Sequence, residues 1–152
     1  MTASSLNAAR RIIVGVDGSP SSIEALRRAA RVATGLGAEM DAVISWDFPS
    51  SYGMGAVPVD WSPEADATAV LDGALKTVFG EHRPAGLRAV VREGYAPKVL
   101  LDASAGAEML VVGSRGHGGF VGLLLGSVSA HCAEHANCPV LVVHTNPEVT
   151  PS

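Results

Sequence analysis

Five short apolar runs, separated by stretches with helical spacing, constrain this 152-residue chain more than any other feature. The runs lie within Arg11 to Asp17, Glu39 to Trp46, Leu87 to Glu93, Glu108 to Gly113 and Val140 to Val143. Strands that alternate with helices pair in parallel through right-handed crossovers, so the predicted fold class is α/β, an open parallel sheet with helices on both faces. The first run, IIVGVD, is continuously apolar until Asp17 and suits a central strand buried on both faces. LRAVVRE at 87 to 93 alternates with charge and suits an edge.

The helix starts are marked by chemistry as well as by period. Ser19-Pro20 and Ser62-Pro63 each offer an N-cap hydroxyl followed by a proline at the first helical position, where no N–H is needed. Ser21 with Glu24 is an alternative capping box. Ile23, Leu26, Ala30 and Ala33 continue the first helix until Gly35 and Gly37 stop it, and Arg27, Arg28 and Arg31 make its solvated face. Ala67, Val70, Leu71, Ala74 and Val78 line one face of the second, which His82, Arg83 and Pro84 close. A third helix spans Tyr95 to Ala105, entered at Pro97 and ended at Gly106; a fourth spans Ser127 to Ala136, stopped by Asn137 and Pro139. The segment from Asp47 to Trp61, rich in Pro, Gly and Ser, is near the length at which loops carry function.

Bulk numbers bound the rest. The length suits a single domain, read here as 11–144 between tails at 1–10 and 145–152. Hydrophobic residues are 47% and charged residues 17%, with mean hydropathy +0.27, a globular composition. No continuous apolar run approaches the roughly 20 residues that a membrane helix needs. MTASSLNAAR lacks the basic start and apolar block of a secretory signal, so we expect a cytoplasmic protein. Eleven Lys and Arg against fifteen Asp and Glu give a net charge of -4, which disfavours nucleic acid as a partner. Cys132 and Cys138 form no disulfide framework and read as free thiols.

The chemistry concentrates in VVGSRGHGGFVGLLLGSV, Val111 to Val128. A strand end, a glycine-dense loop and a helix start let backbone approach a ligand, with Ser127 at or beside the helix N-cap where free N–H groups and the dipole favour a phosphate. No Gly-Lys-[Ser/Thr] occurs and no GxGxxG follows the first strand, so neither standard phosphate loop is present. The spacing that does occur is G-x2-G-x9-G-[S/T], from Gly113 through Gly116 to Gly126 and Ser127.

With that motif, GVDGS at 15 to 19 and HANCPVLVV at 135 to 143, the chain resembles the universal stress proteins of the ATP-binding kind from about Ile12 to Val143. The resemblance implies a five-stranded parallel sheet of order 3-2-1-4-5, Rossmann-like and similar to the adenine nucleotide alpha hydrolases, which sets the first and fourth strands side by side. A ligand then lies at their carboxyl ends, where strand order reverses. It further implies that backbone at Gly113, Gly116, Gly126, Ser127 and Val128 surrounds ribose and phosphates, that Gly15 and Val16 lie near the nucleotide, and that Asp17 meets a ribose hydroxyl or a phosphate-bound Mg2+. Arg115 and His117 sit inside the loop and either add charge or point to water, and Val112, Gly118 and Gly119 complete the candidate site. The end of strand two, at Trp46, corresponds to main chain that reads adenine, although a bulky Trp departs from the smaller residue expected, and its ring can stack, block or turn away. The implied ligand is ATP, with ADP or AMP as alternatives. A homodimer through Val140 to Val143 is also implied, the bland alternative being an edge shielded by the C-terminal tail.

The expected role is a nucleotide-dependent regulatory or stress-response module, with an unidentified regulatory protein as partner. In this reading ATP orders the 113–127 loop, and with it the 47–61 loop, altering what a partner sees. Slow ATP hydrolysis or phosphate transfer from the same pocket is the enzymatic alternative, for which Asp17, Arg115 and His117 supply fragments but no complete set. A dimeric interaction module that binds no nucleotide is the other. Asp17 also reads as a plain turn residue bonding its own downstream backbone. His131, His135 and Cys132 offer too few ligands for a structural metal, and Ser129 with His131, or Ser114 with His117, lacks an orienting acid for a hydrolytic triad.

Overall fold

A computed structural model describes residues 10–48, 61–116 and 125–145. Five strands, β1 (Arg11–Gly15), β2 (Glu39–Trp46), β3 (Leu87–Glu93), β4 (Met109–Gly113) and β5 (Val140–Val143), form one parallel sheet of order β3-β2-β1-β4-β5. Ile13 stands between Asp41 on β2 and Leu110 on β4, so β1 is the central strand, as its apolar sequence predicts. The polar β3 occupies one edge and β5 the other.

The connecting helices are α1 (Pro20–Leu36), α2 (Pro63–Phe79), α3 (Ala96–Ala103) and α4 (Ser127–His135). Both Ser-Pro starts are used: the Ser19 hydroxyl accepts from Ser22 N and the Ser62 hydroxyl from Ala65 N. The Ser21–Glu24 capping box does not form, because the Ser21 hydroxyl reaches Arg115 while Glu24 pairs with Arg27 and Arg28. Helix α1 runs through Gly35 and ends where Gly37 turns to φ 64. There the N–H groups of Gly37 and Ala38 cap the carbonyls of Thr34 and Ala33, a Schellman pairing that a left-handed glycine makes cheap. Helix α2 stops at Phe79, since Gly80 at φ 61 leaves the helix before His82 is reached. Helix α3 is shorter than its sequence period, and Gly126 is the N-cap of α4, with Ser127 beside it as expected.

Alternate residues of each strand feed two cores. Ile12, Val14, Ala42 and Ile44 pack with Leu26, Leu71 and Leu75 of α1 and α2. Ile13, Val43, Leu110 and Val112 pack with Val99, Leu100 and Cys132 of α3 and α4 on the opposite face. Leu26, Leu71 and Leu75 are fully buried, each stabilising the fold by about 1.5–3 kcal/mol. Leu75 lies outside the stripe read from sequence, whereas Val70, inside it, is exposed.

At the amino ends of the strands an ion network replaces hydrocarbon. Asp41, only 6% exposed, accepts from Arg11 Nε at 3.0 Å and from Arg88 Nε and Nη2 at 2.8 and 2.7 Å. Arg11 also reaches Glu39 at 2.9 Å. Burial would raise the Asp41 pKa, but hydrogen bonds from Arg88 and Arg11, with their charges, outweigh it and hold the carboxyl below its ordinary value.

Candidate functional site

The carboxyl ends of β1 and β4 diverge, and the chain beyond each is pulled back by the start of a helix. After β1, Asp17 Oδ1 accepts from Ser19 N at 2.8 Å and Asp17 N donates to Ser22 Oγ at 3.2 Å. This is the Asx turn that the bland reading of Asp17 predicts, yet the residue is exposed and lines the cavity beside it. After β4, the Ser19 and Ser21 hydroxyls donate to the Arg115 carbonyl, while Arg115 N donates to Ser21 Oγ at 3.3 Å. Three serines of one helix start thus fasten the exits of both central strands.

Gly113 is the residue that allows this closeness. A Cβ there would lie 2.6 Å from Ser21 Oγ, 2.7 Å from Ser21 C and 2.8 Å from Ser22 N, two of them backbone atoms that cannot yield. At Gly116 a Cβ would fall 2.7 Å from Asp17 Oδ2, filling the space between the loop and the carboxylate. The far end of the loop returns to the same point. Gly126 N donates to the Ser114 carbonyl at 2.6 Å, and the buried Ser129 hydroxyl donates to Ser114 O and Gly126 O, each at 3.1 Å. The neck of the loop is therefore closed by main chain, and the N-terminus of α4 stands beside Gly116.

Between these exits lies a cavity of about 360 Å3. Gly15, Val16, Asp17, Val112, Gly113, Arg115, Gly116 and Val128 border it, as does Trp46. Gly126 instead packs at the neck, and Ser127 is exposed and off the cavity wall. His117, Gly118 and Gly119 lie outside the described residues. The opposite wall is apolar, built from Val43, Ile44, Trp46, Trp61, Ala67 and Val70. Trp46 meets Phe48 edge to face at 5.7 Å and Phe48 meets Trp61 at 5.9 Å. The Trp61 indole N–H donates to Asp66 Oδ2 at 3.0 Å. Trp46 is thus part of an aromatic wall rather than turned away from the site, and both tryptophans of the chain border one cavity. Ser22, Trp61, Asp66, Leu100 and Ser129 also border it but do not figure in the motif reading; the Ser-rich turn after Pro20 and the two tryptophans flanking one long loop were the available signals.

Other constellations disperse. Ser129 bonds main-chain carbonyls rather than His131. The rings of His131 and His135 are 4.6 Å apart, and no group of three His, Cys, Asp or Glu side chains gathers among the described residues. Cys132 is buried in the core, and burial, with the neighbouring Cys138, pushes its thiol up to about 11. Such a thiol stays protonated and unreactive near neutrality.

The sheet order and the part-apolar, part-glycine cavity at its switch point define the class: an open, doubly wound α/β protein with a cavity at the carboxyl ends of its strands. Comparison with known proteins narrows the class: the profile of the Universal stress protein family matches residues 8–144. The chain belongs to that family. It is 36% identical to Universal stress protein Rv2623 of Mycobacterium tuberculosis over a 159-residue alignment, covering 97% of this chain and 52% of the relative. It therefore spans about half the length of that relative. Among solved structures, UspA from Lactobacillus plantarum superposes with TM-score 0.72 at 20% identity, covering 90% of this chain and 99% of the other. A universal stress protein in complex with cAMP superposes at 0.67 with 26% identity, covering 92% and 100%. The fold is that of the universal stress proteins. Among the described residues no helix is long and apolar enough to cross a membrane.

Proposed function

We propose that this chain binds an adenine nucleotide, ATP foremost, in the 360 Å3 cavity, and that occupancy regulates what its surface offers a protein partner. The observation that carries this reading is the closed neck of main chain around Gly113, Gly116 and Gly126, set beside Asp17 and opposite an apolar wall. Amides and a helix N-terminus suit phosphates without promoting their transfer, and the apolar wall suits a base. In this assignment the base lies against Ile44, Val70 and Trp46, and Asp17 accepts from a ribose hydroxyl or assists a Mg2+ carried by the phosphates. The likeness to a cAMP complex and to an Arabidopsis thaliana family member with AMP bound supports the ligand class.

Mass spectrometry of small molecules released from freshly purified protein, followed by calorimetry with ATP, ADP, AMP and cAMP, tests the reading. Retention of an adenylate, or saturable binding below about 1 mM, is the expected result; absence of both overturns it. The regulatory step predicts altered hydrogen exchange in 113–127 and 47–61 on saturation with ATP. Timed hydrolysis beside a Gly116→Trp control measures the enzymatic alternative. Because β5 is a terminal strand, we extend the proposal to a two-fold homodimer through Val140 to Val143, read by sedimentation.

A further inference from the structure

We propose that β3 is an acceptor edge for an extended acidic segment of a partner protein, of the pattern acidic-x-apolar-x-acidic. Among the described residues the strand is terminal, with β2 on one side alone. The Gly86 carbonyl accepts from Met40 N at 3.2 Å and Gly94 N donates to Trp46 O at 2.8 Å. Backbone polar groups alternate in direction along a strand, so those of Ala89, Val91 and Glu93 point away from the sheet, ready to pair with an added strand.

The side chains beside that edge select for charge. On the face shared with α3, Arg88, Val90 and Arg92 stand in line along β3 and border a groove of about 320 Å3 together with Asp41 and Asp102. Asp41 grips Arg88 by Nε and Nη2, yet that side chain remains 63% exposed. A guanidinium carries five N–H groups, so donors are left over. Arg92 is exposed and has no hydrogen bond or ion pair among the described residues. Asp102 is paired with Lys98 at 3.0 Å. Counting Arg11 and Arg88 against Glu39 and Asp41, the network is neutral and Arg92 leaves a surplus positive charge.

Four residues of strand place the two arginine backbones about 13 Å apart. A strand laid alongside sets acidic side chains opposite both when they are four residues apart, with an apolar residue between them over Val90. The same charges disfavour one competitor, a second copy of this edge. A two-fold antiparallel pair centred on Val90 would set Arg88 directly against Arg92 of the copy, a like-charge contact.

The test is fluorescence anisotropy of the full chain with the labelled peptide TETVTET. Saturable binding that weakens with salt, and falls about tenfold for Arg92→Glu with its thermal unfolding unchanged, is expected. TKTVTKT should bind that variant better than the parent protein. A backbone N-methylated TETVTET keeps its charges but cannot pair as a strand, and should lose binding. The proposal is overturned by no binding at about 1 mM, by an indifferent Arg92→Glu, by equal binding of the N-methylated peptide, or by sedimentation showing that β3 pairs with its own copy. None of these readouts depends on nucleotide.

Discussion

The two ends of the sheet solve opposite problems. At the amino ends, Arg11, Asp41, Glu39 and Arg88 neutralise one another, and the Asp41 carboxylate is saturated by guanidinium donors. At the carboxyl ends, serine hydroxyls and main chain do the fastening, which leaves Asp17 exposed at the cavity. The difference teaches where a small ligand can be accommodated: the Asp41 carboxylate is spent on arginines, whereas an end closed by neutral hydrogen bonds keeps the Asp17 charge for something else.

Substitutions can break that contrast, beginning with the largest effect. Gly113→Val drives a branched side chain into the backbone of Ser21 and Ser22 and should cost about 3 kcal/mol in urea denaturation, taking ligand binding with it. Asp41→Asn, at the other end, should cost about 2 kcal/mol at neutral pH, a value kept below that of a fully buried pair because Arg88 is mostly exposed. Its pH dependence has a definite sign. Because the folded pKa of Asp41 lies below 3.8, its stabilisation is complete above the unfolded value and disappears as pH falls through the folded one. The gap between parent and variant should therefore close in acid, and a gap that persists would break the assignment.

Smaller effects sharpen the comparison. Asp17→Asn keeps an oxygen to accept from Ser19 N, so stability should move by less than about 0.5 kcal/mol while calorimetry shows nucleotide affinity falling about tenfold. Equal affinity would reduce Asp17 to its turn. Ser62→Ala, which removes the α2 cap beside the cavity but takes away no group that lines it, should cost about 1 kcal/mol and change affinity less than Asp17→Asn does.

Local chemistry was readable where it is local in sequence. The Ser-Pro starts of α1 and α2, and the limits of β2, β3 and β5, follow from caps, prolines and runs of apolar residues. The family likeness, rather than spacing, supplied strand order. Leu75 escaped because α2 packs on strands and on α1 together, which widens its buried stripe beyond one helical row. The Asp41 network escaped for a related reason: an aspartate in the middle of an apolar strand makes sense only once register sets Arg88 beside it. Of the residues that border the cavity, Gly113 and Gly116 were picked out by motif spacing, and Gly15 and Asp17 by the family likeness. Trp61, Asp66 and Ser129 were not, since their place depends on how α2 and α4 lean over the sheet.

The placement of both indoles at one cavity has a practical side. Tryptophan emission, excited at wavelengths that tyrosine does not absorb, reports on that cavity, so a purine sliding against Trp46 or Trp61 should quench or shift the signal without any attached dye. Replacing each tryptophan in turn by phenylalanine would then tell which wall the guest touches.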